Sequence, residues 1–113
     1  MNSVYSIDIA HPPVHGEEAE LLLSSALRKV QSSPTFRVLK IIHGHGSGGQ
    51  GGTLKTVVQN WAFKNKSRIK LIIEGINLSP FNPDVQRLCS ECNLQPSKDV
   101  GESNKGITLI WVK

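Results

Sequence analysis

Tyr5, Ile7 and Ile9 alternate with Ser6 and Asp8, the two-residue period of a strand with one face buried, which predicts a first strand over Val4–Ile9. His11-Pro12-Pro13 ends it. From Glu17 the period changes: Ala19, Leu22, Leu23, Ala26, Leu27 and Val30 recur at the spacing of one helix face, with Glu17 and Glu18 at the start and Arg28 and Lys29 near the end, as the helix dipole favours. Ser32-Ser33-Pro34 breaks the helix, and Phe36–Ile42, rich in β-branched residues, predicts a second strand. Thr53 then suits the N-cap of a second helix whose Leu54, Val57, Val58, Trp61 and Ala62 keep helical spacing. A third strand follows over Ile69–Ile73 and a last one over Ile107–Val112. Between them Asn77–Ser103 is polar, broken by Pro80, Pro83 and Pro96, with one short helical stretch at Asp84–Cys92.

Strands alternating with helices predict an α/β fold whose first three strands are parallel. The expected architecture is a two-layer sandwich, β-α-β-α-β, an insertion, then β, on a mixed four-stranded sheet. The two main helices are expected to pack through Leu22, Leu23, Leu27, Leu54, Val58 and Trp61. A chain of 113 residues fits one domain, and 38% hydrophobic with 19% charged residues describes a soluble globule. Neither a basic, apolar leader nor a run near the roughly 20 apolar residues of a membrane span is present, so a cytoplasmic location and no membrane partner are expected.

Charge changes the picture more than composition does. Residues 36–75 carry seven cations (Arg37, Lys40, Lys55, Lys64, Lys66, Arg68, Lys70) and only Glu74 as an anion, whereas the flanking segments are acidic or balanced. A central basic excess suits a polyanion partner, because neutralised phosphates supply most sequence-independent affinity for nucleic acid; a solvated lysine surface is the other reading. Cys89 and Cys92 form a single C-x-x-C without the further ligands of a zinc site, and are read as reduced thiols packed like small hydrophobes.

The densest chemistry is at the end of the second strand. From Gly44 to Gly52 six of nine residues are glycine, which sacrifices backbone entropy beyond what chain reversal needs. A strand feeding such a turn into a helix N-terminus aims unpaired N–H groups and the positive dipole end at one point, which suits phosphate. Gly44, Gly46 and Gly49 match G-x-G-x-x-G, but the turn follows the second strand and the next acidic residue, Glu74, lies beyond the usual distance of about 20 positions. A Walker P-loop fails because Gly52-Thr53 lacks the following Lys-Ser or Lys-Thr. Right-handed crossovers bring the ends of the first three strands to one sheet edge, gathering Asp8, His11, His43, His45 and Glu74 beside the turn. A carboxylate and an imidazole there could polarise an attacking hydroxyl or protonate a leaving oxygen.

Leu39-Lys40-Ile41-Ile42 running into His43-Gly44-His45-Gly46-Ser47-Gly48, then Gly52-Thr53-Leu54-Lys55 with Val58 and Trp61, and finally Gly106-Ile107-Thr108-Leu109-Ile110, together resemble the small MutS-related (Smr) domain. The blocks cover nearly the whole chain, which is similar to a divergent member of that family. The resemblance implies a sandwich like the C-terminal domain of translation initiation factor 3. It also implies nucleic-acid binding, RNA or DNA, with DNA-nicking or RNA-cleaving endonuclease activity in several members. Active members carry leucine-aspartate-x-histidine after the first strand, whereas Ile7-Asp8-Ile9-Ala10-His11 has one residue more. On a continued strand that residue would turn His11 to the face opposite Asp8.

The site expected on these grounds comprises Asp8, His43 and His11 as catalytic groups. Gly44, His45, Gly46, Ser47, Gly48, Gly49, Lys40, Lys55 and Lys64 are the expected nucleic-acid contacts. A divalent metal ion is left open as a cofactor. A non-catalytic nucleic-acid-binding module and a small nucleotide-binding protein using the glycine turn are the alternatives.

Overall fold

A computed structural model of the chain describes residues 3–44, 50–94 and 100–113, with residues 50–53 described as backbone only. Four strands, β1 (Val4–Asp8), β2 (Val38–Ile42), β3 (Ile69–Glu74) and β4 (Ile107–Val112), form one sheet in the order β1-β2-β4-β3. The helices are α1 (Gly16–Ser32), α2 (Gln50–Lys64) and α3 (Pro83–Cys92), with short 3-10 turns at Lys66–Arg68 and Gly75–Asn77. β1 and β2 pair in parallel, and β4 is antiparallel to both β2 and β3. The first three strands thus run the same way, as the sequence pattern predicts, but β4 separates β2 from β3.

Their carboxyl ends are level: Asp8 pairs with Ile42, Ile42 with Ile107, and Glu74 with Thr108. One edge of the sheet therefore collects three strand ends, as the crossover rule requires.

α1 and α2 cover one face. Ala19, Leu23, Ala26, Leu27 and Val30 of α1 and Leu54, Val58, Trp61 and Ala62 of α2 close over Leu39, Ile41, Ile110 and Val112 of the sheet. Trp61 Nε1 donates to Ser24 Oγ at 3.0 Å, so the indole fills the gap between the helices without leaving its N–H unpaired. Two expectations need correction here. Leu22 is 45% exposed, because it falls on the shoulder of the α1 stripe rather than its centre. α2 begins at Gln50, so Thr53 lies inside the helix and not at its N-cap.

The polar excursion does more than its composition suggests. Asn82 accepts from the Asp84 amide at 2.8 Å and Pro83 occupies the first turn, which starts α3; Asn93 in the left-handed conformation (φ 56°) ends it. Val85, Leu88 and Cys92 then pack on Val38, Ile73, Leu109 and Trp111, covering the face that α1 and α2 leave open. All six residues of β4 are buried, with Ile107, Leu109 and Trp111 turned to α3 and Ile110 and Val112 to the main helices. An apolar strand without alternation is what a centre covered on both sides needs. Both thiols are free, Cys92 buried and Cys89 half-buried, and burial pushes both above the usual thiol range. Among the described residues no helix is long and apolar enough to cross a membrane.

Candidate nucleic-acid interface

β1 stops at Asp8 because the carboxylate takes over the backbone beyond it. Asp8 Oδ1 accepts from the Ala10 amide at 2.8 Å and the His11 amide at 3.1 Å, and Val14 N donates to Ile9 O at 3.1 Å. This local turn, which Asp side chains commonly nucleate, brings the residue three positions on back over the carboxylate. His11 Nδ1 lies 2.9 Å from Asp8 Oδ2 and 3.1 Å from Oδ1. The expectation that the extra residue would turn His11 away is thereby corrected: a strand's alternation does not apply once the strand has ended. Partial burial works to raise the Asp8 pKa, but the Ala10 amide, the His11 ring and the His11 amide outweigh it, holding the carboxyl below the usual range. His11 is largely exposed and Asp8 partly so, leaving the pair open to solvent.

His43, the first residue past β2, is placed differently. It follows Leu39 and Ile41 in alternation, so it faces α1 and α2, while Asp8 follows Val4 and Ser6 on the face of α3. The two groups occupy neighbouring strand ends without meeting. The His43 ring is completely buried, with Nε2 2.9 Å from Thr108 Oγ1 and Nδ1 3.1 Å from the Gly44 carbonyl. Burial depresses its pKa and the charge of Lys55 adds to this, against the opposing pull of the Gly44 and Ile107 carbonyls and of Glu74. Glu74 itself receives Gln59 Nε2 at 2.9 Å and lies 3.9 Å from Lys55 Nζ.

The His43 and Gly44 amides both donate to the Gly106 carbonyl, at 2.8 and 3.1 Å. Gly44 has φ 83°, a conformation that costs glycine little and a residue with a Cβ much more. The glycine segment thus leaves β2 at a fixed point and re-enters the described chain at the α2 N-terminus. His45, Gly46, Ser47, Gly48 and Gly49 lie outside the described residues.

The basic residues of the central segment are spread apart by the fold. Lys55 is on the first half of α2, near the strand ends. Lys64 is the last residue of α2, about 20 Å from the helix start at the usual rise of about 1.5 Å per residue, and its Nζ lies 3.1 Å from Glu20 Oε1. Lys40 alternates with Val38 and Ile42, placing it on the same sheet face as Asp8 and one strand over. Lys66 lies over Phe63, and Lys70 lies over Trp111 with Glu91 3.4 Å away. Among the described residues no three His, Cys, Asp or Glu side chains converge as metal ligands, so a cation at Asp8 would find a carboxylate already shared with His11.

A mixed α/β sheet that gathers three strand ends beside a glycine segment, with an open carboxylate–imidazole pair on the first, defines an α/β domain built around one edge of its sheet. The model of the Smr domain matches residues 13–75, more than half of the chain and the part from Pro13 through α1, β2, α2 and β3 to Gly75. The chain belongs to the Smr domain family, whose members are of a nucleic-acid-binding and endonuclease type. Asp8 and His11 stand just before the matched stretch. No curated protein and no solved structure matches the chain.

Proposed function

We propose that this domain binds RNA or DNA through phosphate contacts at the strand-end edge and that Asp8 and His11 act there on the phosphodiester. The observation that carries this is the exposed Asp8–His11 pair, 2.9 Å apart, on the strand next to the one that delivers the glycine segment. An ionised Asp8 accepts Nδ1–H of His11 and fixes the ring. Nε2 is then the nitrogen left for substrate. It takes the proton of an attacking hydroxyl, or gives one to the leaving oxygen, while backbone donors of the glycine segment beyond Gly44 and the α2 N-terminus hold phosphate oxygens. Lys55 adds positive charge near that edge and Lys40 supplies it on the Asp8 face. Lys64 belongs to a more distant contact, and His43 supports the backbone rather than meeting the substrate.

Binding and cleavage of single- and double-stranded RNA and DNA, with and without a divalent ion, test this directly. Salt-sensitive binding with cleavage that Asp8→Asn slows about a hundredfold or more is the expected result. Binding without cleavage under every condition leaves a non-catalytic module, and preference for a mononucleotide over a long polyanion leaves a nucleotide-binding protein.

A further inference from the structure

Two exposed apolar side chains stand together between α2 and the edge strand β3. Phe63 of α2 is 67% exposed and Ile72 of β3 is 42% exposed, and they line one groove with the buried Val58 and Ala62 of α2. Its volume is about 250 Å³. Pockets for drug-sized molecules run to about 300–1,000 Å³, so this one admits a single flat ring system and not the several side chains of a docked helix.

The helix sets the order along the groove. Lys55, Gln59 and Phe63 are four residues apart and stand at successive turns of α2, about 12 Å from first to last. Glu74 and Thr108, paired in register at the strand ends, line the groove where Lys55 approaches Glu74. Lys66 also lines it, with Nζ 4.5 Å from the centre of the Phe63 ring, and Phe63 remains mostly exposed with the ammonium in place. The groove thus connects the strand-end edge with an aromatic ring beside a cation.

Its rim distinguishes the parts of a nucleic acid. Glu74 accepts from Gln59 Nε2 at 2.9 Å and lies 3.9 Å from Lys55 Nζ. A carboxylate accepts N–H donors and repels phosphate, so it suits the edge of a base while the backbone passes along the lysines. α2 and the turn after it carry Lys55, Lys64, Lys66 and Arg68 and no acidic residue. Such a wall favours a polyanion over a second copy of this chain, whose own α2 would bring like charges against it. Aromatic rings beside cations hold single strands because every base has a face to stack, whereas a base inside a duplex is already stacked between its neighbours.

We propose that this groove is a base subsite: with phosphates held as in the proposed function, on which this rests, one unpaired base enters between α2 and β3 and stacks on Phe63. The substrate class is then a single strand, or a duplex only where a base is displaced from it.

Three probes of one length separate stacking from phosphate contact: a single strand with bases, an abasic strand and a duplex. By fluorescence anisotropy the wild type should bind the abasic strand about five- to hundredfold more weakly than the strand with bases, the range expected for one stacked base. Phe63→Ala should weaken binding of the strand with bases by a similar factor and leave the abasic strand and the duplex unchanged, and Phe63→Trp should restore it. Equal wild-type affinity for the strands with and without bases overturns the base subsite, needs no variant, and leaves the phosphate contacts standing. A Phe63→Ala variant that binds every probe as the wild type does overturns it too, as does one that loses affinity equally for all three. A wild-type dimer that Phe63→Ala dissociates in sedimentation shows a second copy in the groove and overturns it likewise. Binding to none of the probes ends the proposed function, and the base subsite with it.

Discussion

Asp8, the last residue of β1, and His43, the first residue beyond β2, lie on opposite faces of the sheet, so the carboxylate finds its imidazole in His11, three residues on, and not across the strand pair. Division of labour follows. Asp8→Asn keeps the shape and removes a charge that repels phosphate, so nucleic-acid affinity should hold or tighten slightly. Cleavage should slow about a hundredfold or more in both Asp8→Asn and His11→Ala. Single-turnover rates on an end-labelled strand measure this; equal rates in wild type and His11→Ala would remove His11 from the chemistry.

Position along α2 separates the lysines. Lys55, near the strand ends, should contribute a phosphate contact, and Lys55→Ala should flatten the logarithmic salt dependence of binding by roughly one unit or less. Lys64, at the far end and paired with Glu20, should leave that slope within error when replaced by alanine. Titrations from low to physiological ionic strength compare the two, and equal slopes for both variants would place the interface elsewhere on the molecule.

Gly75 is held where a side chain has no room. A Cβ there would run into the carbonyl oxygens of Asn104 and Ile107 and the Ile107 side chain, and the Gly75 carbonyl already accepts from Asn104 N at 2.9 Å. Gly75→Ala should destabilise the fold by about 2 kcal/mol or more, since backbone rather than a flexible side chain must move. Urea unfolding followed by tryptophan fluorescence provides the check, and a midpoint like that of wild type would contradict the packing.

His43 has a pKa below its unfolded value, so between the two the unfolded chain binds the extra proton and stability rises with pH. Its contribution is complete above the unfolded value near 6.5 and is lost as pH falls through the folded one. His43→Gln should remove that part of the acid sensitivity while lowering stability at pH about 8. Unfolding midpoints measured from pH about 8 down to about 5 should therefore converge for wild type and variant, and parallel curves would show that His43 is not the group responsible.

Element order and strand direction were legible because each element keeps one clean period over its length. The Asp8–His11 contact was not, because alternation stops where the strand stops and the side chain of Asp8 itself decides that point. The opposed faces of Asp8 and His43 follow from counting alternation along β1 and β2, a signal present in the sequence once the two strands are known to be neighbours. Thr108 looked like one more position in an apolar strand, and only the register of β4 beside β2 brings its hydroxyl to the imidazole. The helix that covers the second face is short and sits among prolines, so its three buried positions, Val85, Leu88 and Cys92, gave little period to read.

The strand at the middle of the sheet is also the last of these elements to leave a ribosome. Until Ile107–Val112 emerges, β2 and β3 have no partner between them, His43 has no Thr108, and Gly44 has no Gly106 carbonyl to hold it. The nascent chain therefore carries two open strand edges and an unassembled site through the whole synthesis of the excursion, several seconds at about 5–20 residues per second. Its vulnerability to misassociation is concentrated in that interval, and closure is a single late event joining positions distant in sequence.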